Sequence, residues 1–214
     1  MMTLWGRKNS SNVQTVVWCL EELNLPYKRI DAGFTYGVVD TEEYRKINPN
    51  STVPTFKDGE GPALFESCAI ARYLASNYAP DAFWPSDPSS RAQVDMWAEW
   101  SKHNIATAFS LPLFWPIVRL DPALQNPQQL ATALEKLSKN LDIANDQLSR
   151  SKYLASNELT LADIVFGHSL FRYYDIDLNR PEHKHVRAYY ERLTQSKTYQ
   201  KSVMIPYDDL RHKP

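Results

Sequence analysis

The sequence predicts a small α/β domain of order βαβαββα that is followed by an all-helical domain. Two observations lead to this fold class. Short apolar runs that fit strands alternate with helical patterns as far as residue 78, and no strand pattern appears beyond residue 90. Between them, residues 79–90 contain three prolines and several small polar residues, which is typical of a linker. We therefore predict two domains, at residues 1–79 and 90–214.

The first domain contains four apolar runs that fit strands and three helical patterns. The predicted strands are Thr3–Trp5, Tyr27–Ile30, Val53–Phe56 and Ala63–Phe65. The predicted helices begin near Val13, at Thr41 and at Glu66. Asn24 and Pro26 end the first helix, and a glycine-containing turn separates the last two strands.

The second domain contains four predicted helices. They cover 91–109, 128–148, a segment from Thr160 to about Tyr174, and 183–193. Pro112 and Pro116 must kink or end a helix at their positions. Thr160 and Asp163 form an S/T-x-x-D box that satisfies N–H groups at a helix start, so we assign them to folding and not to chemistry.

Charge, hydropathy, the N-terminal residues and cysteine content argue against several classes of protein. The net charge is −1 and no Lys/Arg run exceeds two residues, which argues against a nucleic-acid surface and a polybasic membrane anchor. No apolar stretch approaches the roughly 18 residues of a membrane span. The N-terminus turns polar too early for a signal peptide. The two cysteines, Cys19 and Cys68, indicate neither a disulfide framework nor a metal site.

Two polar segments stand at predicted helix starts. Residues 9–12, Asn-Ser-Ser-Asn, precede the first helix, and any of them could cap it or contact a ligand. Glu66 and Ser67 open the third helix, where free N–H groups and the positive end of the helix dipole attract an anion.

Four segments of the chain resemble the glutathione transferase family. They are S-x-N-V at 10–13, NPNSTVPTF at 48–56, the ES pair at 66–67 followed by AIARYL, and LTLADI at 159–164. Each segment alone is a weak signal, but all four in this order and spacing are specific. The resemblance extends from Leu4 to Pro206, with some segments like those of bacterial members. It implies a thioredoxin-like first domain, a helical second domain, and glutathione as co-substrate without a metal.

The resemblance also implies which residues bind glutathione. In the family, a cis peptide bond before a proline points the backbone of the preceding residue at the cysteinyl part of glutathione. In this chain the bond joins Val53 to Pro54, and Thr52 lies beside it. Glu66 would hold the γ-glutamyl ammonium group, and Ser67 would hold the γ-glutamyl carboxylate.

Serine-type members of the family carry a hydroxyl that donates a hydrogen bond to the sulfur. Ser10 has the matching position, three residues before Val13. Asn12 is the alternative, because its amide can also donate to a thiolate, and it ranks among the good helix caps. The turn before the first helix contains no tyrosine, unlike that of several classes. Ser51 and Thr52 stand where some classes place His or Lys for the glycyl carboxylate, so the resemblance leaves that anchor open.

The function implied is a cytoplasmic, homodimeric glutathione transferase for detoxification, whose thiolate attacks a hydrophobic electrophilic small molecule. A glutathione-dependent disulfide or peroxide reductase would use the same site with a different acceptor. A non-catalytic module that binds a ligand or a protein is the alternative from another class. We interpret Cys19 and Cys68 as buried structural thiols because neither forms a CxxC pair, although a helix N-terminus lowers the pKa of a thiol beside it.

Overall fold

The computed structural model describes residues 1–213 and divides into two compact units. The first unit consists of Met1–Pro80 together with Lys197–Ile205. The second consists of Asp81–Ser196 together with the residues from Pro206 onward. Within the described residues, no helix combines the length and the apolar character needed to cross a membrane.

The first unit is built on a four-stranded mixed sheet in the order β2-β1-β3-β4. Its strands are β1 (Met2–Trp5), β2 (Tyr27–Ile30), β3 (Thr55–Lys57) and β4 (Ala63–Phe65). β1 runs parallel to β2 and antiparallel to β3. The third strand was predicted to include Val53 and Pro54, but the ladder begins at Thr55, because proline has no N–H to donate.

Three helices of the first unit follow the predicted order. They are α1 (Ser11–Glu22), α2 (Glu42–Ile47) and α3 (Ser67–Tyr78). The Thr41 hydroxyl caps α2 by accepting the Tyr44 N–H at 3.2 Å. Together with the sheet, these helices confirm the βαβαββα order and the thioredoxin-like fold that the resemblance implies.

A further helix of the first unit, α10 (Lys197–Ser202), comes from the far end of the chain and was not predicted. It packs against α1. The rings of Trp18 and Tyr199 meet edge to face with their centroids 4.9 Å apart, and both side chains are fully buried. Lys201 forms an ion pair with Glu21 at 2.8 Å.

The second unit is helical, as predicted. Its helices are α4 (Pro88–Ser101), α5 (Trp115–Arg119), α6 (Pro127–Leu148), α7 (Leu161–Gly167), α8 (Leu170–Asp175) and α9 (Lys184–Thr194). Between α4 and α5 the chain keeps turning in two wider π-helical segments, 102–107 and 110–114. The second segment contains Pro112, and Pro116 lies in the first turn of α5, where a missing N–H costs little. The predicted helix 160–174 is interrupted near His168.

The box at the start of α7 is buried and fully bonded. One oxygen of Asp163 accepts the N–H and the hydroxyl of Thr160 at 2.8 and 2.9 Å. Its other oxygen accepts the Leu154 N–H at 2.9 Å and the Tyr189 hydroxyl at 3.0 Å. Burial raises the pKa of Asp163 above its ordinary value. Every bond of this carboxyl group goes to the protein itself, which agrees with a role in folding.

We expect Thr160→Val to lower the free energy of unfolding by about 1–2 kcal/mol, because it removes the cap hydroxyl from a buried helix start. Urea unfolding followed by circular dichroism measures the loss. Thr132→Val is the matched control, since the exposed Thr132 hydroxyl only bonds back to the Gln128 carbonyl of its own helix. Equal unfolding midpoints for Thr160→Val and the unmutated protein would contradict the role assigned to the box.

Candidate active site

Two predicted site residues lie where β1 leads into α1, Ser10 just before the helix and Asn12 within it. Ser10 is the N-cap of α1 (φ −84°, ψ 124°), and its carbonyl accepts the Gln14 N–H at 2.8 Å. The residue is 7% exposed, and its side chain makes no capping hydrogen bond. Asn12 is exposed in the first turn of α1, so it is not the cap. The Ser10 hydroxyl is therefore available to a ligand at a place that largely excludes water.

Three hydrogen bonds tie this turn to the end of β2. The Gly6 N–H donates to the Ile30 carbonyl at 2.8 Å, and the Arg7 N–H donates to the Ala32 carbonyl at 3.1 Å. The Arg29 guanidinium donates to the Gly6 carbonyl at 2.8 Å. These bonds join segments distant in sequence, and they fix where the N-cap residue of α1 stands.

The Val53 side chain packs between two glycines. Gly6 has a φ of 154°, and a Cβ there would lie 2.4 Å from a methyl group of Val13 and 3.4 Å from the Val53 Cβ. Gly33 has a φ of 78°, and its Cβ would lie 3.3 Å from a Val53 methyl group. Only glycine adopts these conformations readily and leaves room for so close an approach. The turn after β1, the loop after β2 and the Val53 segment thus meet.

The segment before β3 is held from α2. The Val53–Pro54 peptide bond is cis, as the resemblance implies. The Thr52 carbonyl accepts the Tyr44 hydroxyl at 2.7 Å and the Asn48 amide at 2.9 Å, whereas its side chain is exposed. In the described part of the chain, neither the N–H nor the C=O of Val53 makes a backbone hydrogen bond. These two groups can pair with an extended, peptide-like ligand.

Glu66 and Ser67 stand where β4 leads into α3. Glu66 is the N-cap of α3 with a φ of 71°, which is uncommon outside glycine and concentrates at functional sites. Its side chain is exposed. Ser67 is 2% exposed, and its hydroxyl has no hydrogen-bond partner within residues 1–213. A buried hydroxyl at a helix N-terminus can be satisfied by a bound anion, which the helix dipole also attracts.

The sheet register brings the three segments to one edge of the sheet. Trp5, the last residue of β1, is opposite Thr55, the first residue of β3. Thr55 is in turn opposite Phe65, the last residue of β4. The residues that follow β1, precede β3 and follow β4 therefore emerge side by side, and they include every predicted site residue.

Sequence reasoning missed the residues that hold these segments in place. Tyr44 and Asn48 support the Thr52 carbonyl, and Arg29 supports the Gly6 carbonyl. Asn48 lies inside the NPNSTVPTF motif and could have been noticed there. The other two carry no local signal, because their partners are defined only by the fold.

The two cysteines of the first unit are both buried, free thiols. Cys19 is completely buried, and its sulfur lies 3.9 Å from the Ala71 carbonyl. Burial raises the pKa of the Cys19 thiol far above its ordinary value, so the reactive thiolate is disfavoured. Cys68 is buried in the first turn of α3. Over residues 1–213, no group of three or more His, Cys, Asp or Glu side chains is placed to hold a metal ion.

Comparisons with known proteins find the same family in both halves of the chain. The family described as "Glutathione S-transferase, N-terminal domain" matches residues 9–77, and "Glutathione S-transferase, C-terminal domain" matches residues 103–197. The glutathione S-transferase GstB of Escherichia coli K12 is 30% identical over 207 residues, 96% of this chain and 99% of its own. Glutathione S-transferase 3 of Zea mays is 32% identical, over 94% and 93% of the two chains.

A solved structure is also similar over nearly its whole length. The theta class glutathione S-transferase of Xanthomonas axonopodis pv. citri, crystallised with glutathione bound, superposes with a TM-score of 0.89. The two sequences are 39% identical, and the match covers 96% of this chain and 98% of the other. The chain therefore belongs to the glutathione S-transferase family and is a glutathione transferase enzyme that uses glutathione as a substrate.

Proposed function

We propose that Ser10 activates glutathione by donating a hydrogen bond from its hydroxyl to the sulfur, which favours the thiolate. The observation that carries this proposal is a serine at the N-cap of α1 that is 7% exposed and whose hydroxyl makes no capping hydrogen bond. An N-cap side chain normally accepts an N–H of the first turn. The Ser10 side chain does not, so its proton and its lone pairs remain for a ligand.

The rest of glutathione is bound by the neighbouring segments. The cysteinyl backbone pairs with the N–H and C=O of Val53, next to Thr52 and Pro54. The γ-glutamyl carboxylate accepts hydrogen bonds from the hydroxyl and N–H of Ser67, and the γ-glutamyl ammonium pairs with Glu66. The orphaned, buried hydroxyl of Ser67 supports this orientation, because an anion there supplies its missing partner.

These groups can supply most of the energy that activation requires. A free thiol has a pKa of about 8.5, so only about 3% is ionised at pH 7. Lowering the pKa by about two units ionises roughly three quarters and needs about 2.7 kcal/mol. A donor to an anion contributes about 1.5 kcal/mol, and the N-terminus of α1 contributes roughly 0.3–1 kcal/mol. Serine keeps its proton throughout, as the donors of an oxyanion hole do.

The acceptor is a hydrophobic electrophilic small molecule, and the enzyme acts in detoxification as a cytoplasmic homodimer. The thiolate attacks an electrophilic carbon and forms a sulfur–carbon bond. With a halogenated acceptor the carbon–halogen bond breaks, and the halide leaves with the electron pair. The family assignment supports each of these statements, and the net charge of −1 with dispersed basic residues supports a small-molecule partner in preference to a nucleic acid or a membrane.

A pair of product assays tests the reaction type. The enzyme is incubated with glutathione and either a chlorinated nitroaromatic compound or a mixed disulfide of glutathione, and the products are identified. We expect the aromatic conjugate to form with release of chloride, at a rate far above disulfide reduction. Reduction of the disulfide without conjugation would replace the transferase by a reductase. Glutathione binding without either product would indicate a binding module.

We expect Cys19→Ser and Cys68→Ser to retain turnover, because the sulfur that reacts belongs to glutathione. Cys19→Ser should also lower stability, since it places a hydroxyl in a fully buried site. Conjugation rate and circular dichroism are measured together, so that lost folding is not mistaken for lost chemistry. A folded variant without turnover would make a protein thiol the working group and would move disulfide chemistry to first place.

A further inference from the structure

Gln14 is a buried amide with no partner. Its side chain is 1% exposed, and neither its oxygen nor its nitrogen makes a hydrogen bond within residues 1–213. An unsatisfied buried amide is costly, and such groups are rare in native proteins. The motif comparison with the family assigned no role to this position. Its retention in the core of the first unit therefore requires an explanation.

Helix geometry directs this amide towards Ser10. Gln14 follows Ser10 by four residues, and its N–H bonds to the Ser10 carbonyl at 2.8 Å, so the two positions lie one turn apart on the same face. Side chains of a helix lean towards its N-terminus and cover the preceding turn. The Gln14 side chain consequently covers the turn that begins at Ser10. A buried amide without a partner thus stands one turn away from the Ser10 side chain, which makes no capping hydrogen bond.

A serine hydroxyl that must activate a thiolate needs such a neighbour. The hydroxyl has one proton and rotates freely unless its oxygen is held. A hydrogen bond donated to that oxygen restricts rotation of the hydroxyl and so fixes the direction of its proton. Hydrogen bonds in series also strengthen one another. The amide nitrogen of Gln14 is a donor of this kind. It makes no direct hydrogen bond to Ser10, so one water must bridge the two side chains.

We propose that Gln14 is a positioning residue for the transferase reaction. Its amide donates to one ordered water that in turn donates to the Ser10 oxygen, and so directs the Ser10 proton at the glutathione sulfur. The inference rests on the proposed role of Ser10. It makes Gln14 act through Ser10 and not on glutathione itself.

The test is a pH titration of the thiolate absorbance of bound glutathione, together with the pH profile of kcat and KM. Gln14→Met replaces the amide by an apolar chain of similar size. We expect the thiol pKa to rise by about half a unit, less than for Ser10→Ala, and kcat at pH 7 to fall roughly twofold with KM little changed. Thr15→Val is the matched control, because Thr15 is equally buried and its hydroxyl bonds to the Ser11 carbonyl at 3.2 Å.

A double variant separates the possible explanations. In a Ser10→Ala background, Gln14→Met should cause no further shift of the thiol pKa. An undiminished shift there would show that the amide acts without Ser10 and would overturn the inference. So would higher stability of Gln14→Met with an unchanged thiol pKa, which is the result expected of a merely structural orphan. If Ser10→Ala itself leaves the thiol pKa unchanged, the proposed role of Ser10 is wrong, and the inference about Gln14 falls with it. Gln14→Leu serves the same purpose if the methionine variant does not fold.

Discussion

Replacing Ser10 by alanine is expected to raise the pKa of bound glutathione by about one unit or more, the equivalent of one lost donor to an anion at about 1.5 kcal/mol. A thiol that is about three quarters ionised at pH 7 would then be about one quarter ionised. Turnover at pH 7 should fall at least in that proportion and should recover as the pH rises. The thiolate forms above the thiol pKa, so a raised pKa moves the active range towards alkaline pH.

The measurement is a pH titration of thiolate absorbance, with turnover recorded over the same range. Glutathione affinity near the variant's own pKa should change much less than turnover at pH 7. Asn12→Ala is the comparison variant and should leave the thiol pKa in place, because Asn12 lies in the exposed first turn of α1. A pKa that moves with Asn12→Ala and not with Ser10→Ala would transfer the chemistry to the amide.

The second large effect concerns binding. Glu66→Ala and Ser67→Ala should each weaken glutathione binding by about 1.5–3 kcal/mol, because each removes a hydrogen bond to a charged end of the ligand. The corresponding loss of affinity is roughly 10- to 150-fold. Isothermal calorimetry measures it directly. The fold should change little, since the Ser67 hydroxyl has no partner in the protein to lose and the Glu66 side chain is exposed.

Two matched controls sharpen this measurement. Ser202→Ala removes another buried serine hydroxyl of the first unit that lacks a partner, but one on α10 and outside the three segments that carry the site. Glu60→Ala removes another exposed carboxylate, in the turn between β3 and β4. Neither control should change affinity. Unchanged affinity in both Glu66→Ala and Ser67→Ala would show that the γ-glutamyl end of glutathione does not bind at the start of α3.

The sequence predicts those parts of the site that depend on neighbouring residues. The proline after Val53 and the polar pair that opens α3 are visible in short motifs, and their order indicates the fold. The choice of cap among residues 9–12 is not visible in the sequence, because all four adjacent residues are good caps. Bonds from Gly6 and Arg7 to the end of β2 fix the turn, and they bring Ser10 to the cap position.

Two features of the fold were beyond local reasoning. The six residues of α10 make fewer than two turns, so no periodicity distinguishes them, and the helix is stabilised by Tyr199 on Trp18. The π-helical segments before α5 likewise give no pattern of their own, although Pro112 marks the place. In both cases the deciding contacts are distant in sequence.

The return of α10 to the first unit has a consequence for synthesis of the chain on the ribosome. The N-terminal 80 residues emerge from the ribosome long before residues 197–205. Until α10 is made, the face of α1 around Trp18 stays exposed. Translation at about 5–20 residues per second makes that interval roughly 6–25 s. During it a large aromatic side chain that is fully buried in the finished protein is open to chaperones and to other nascent chains. The domain that begins first is therefore completed almost last.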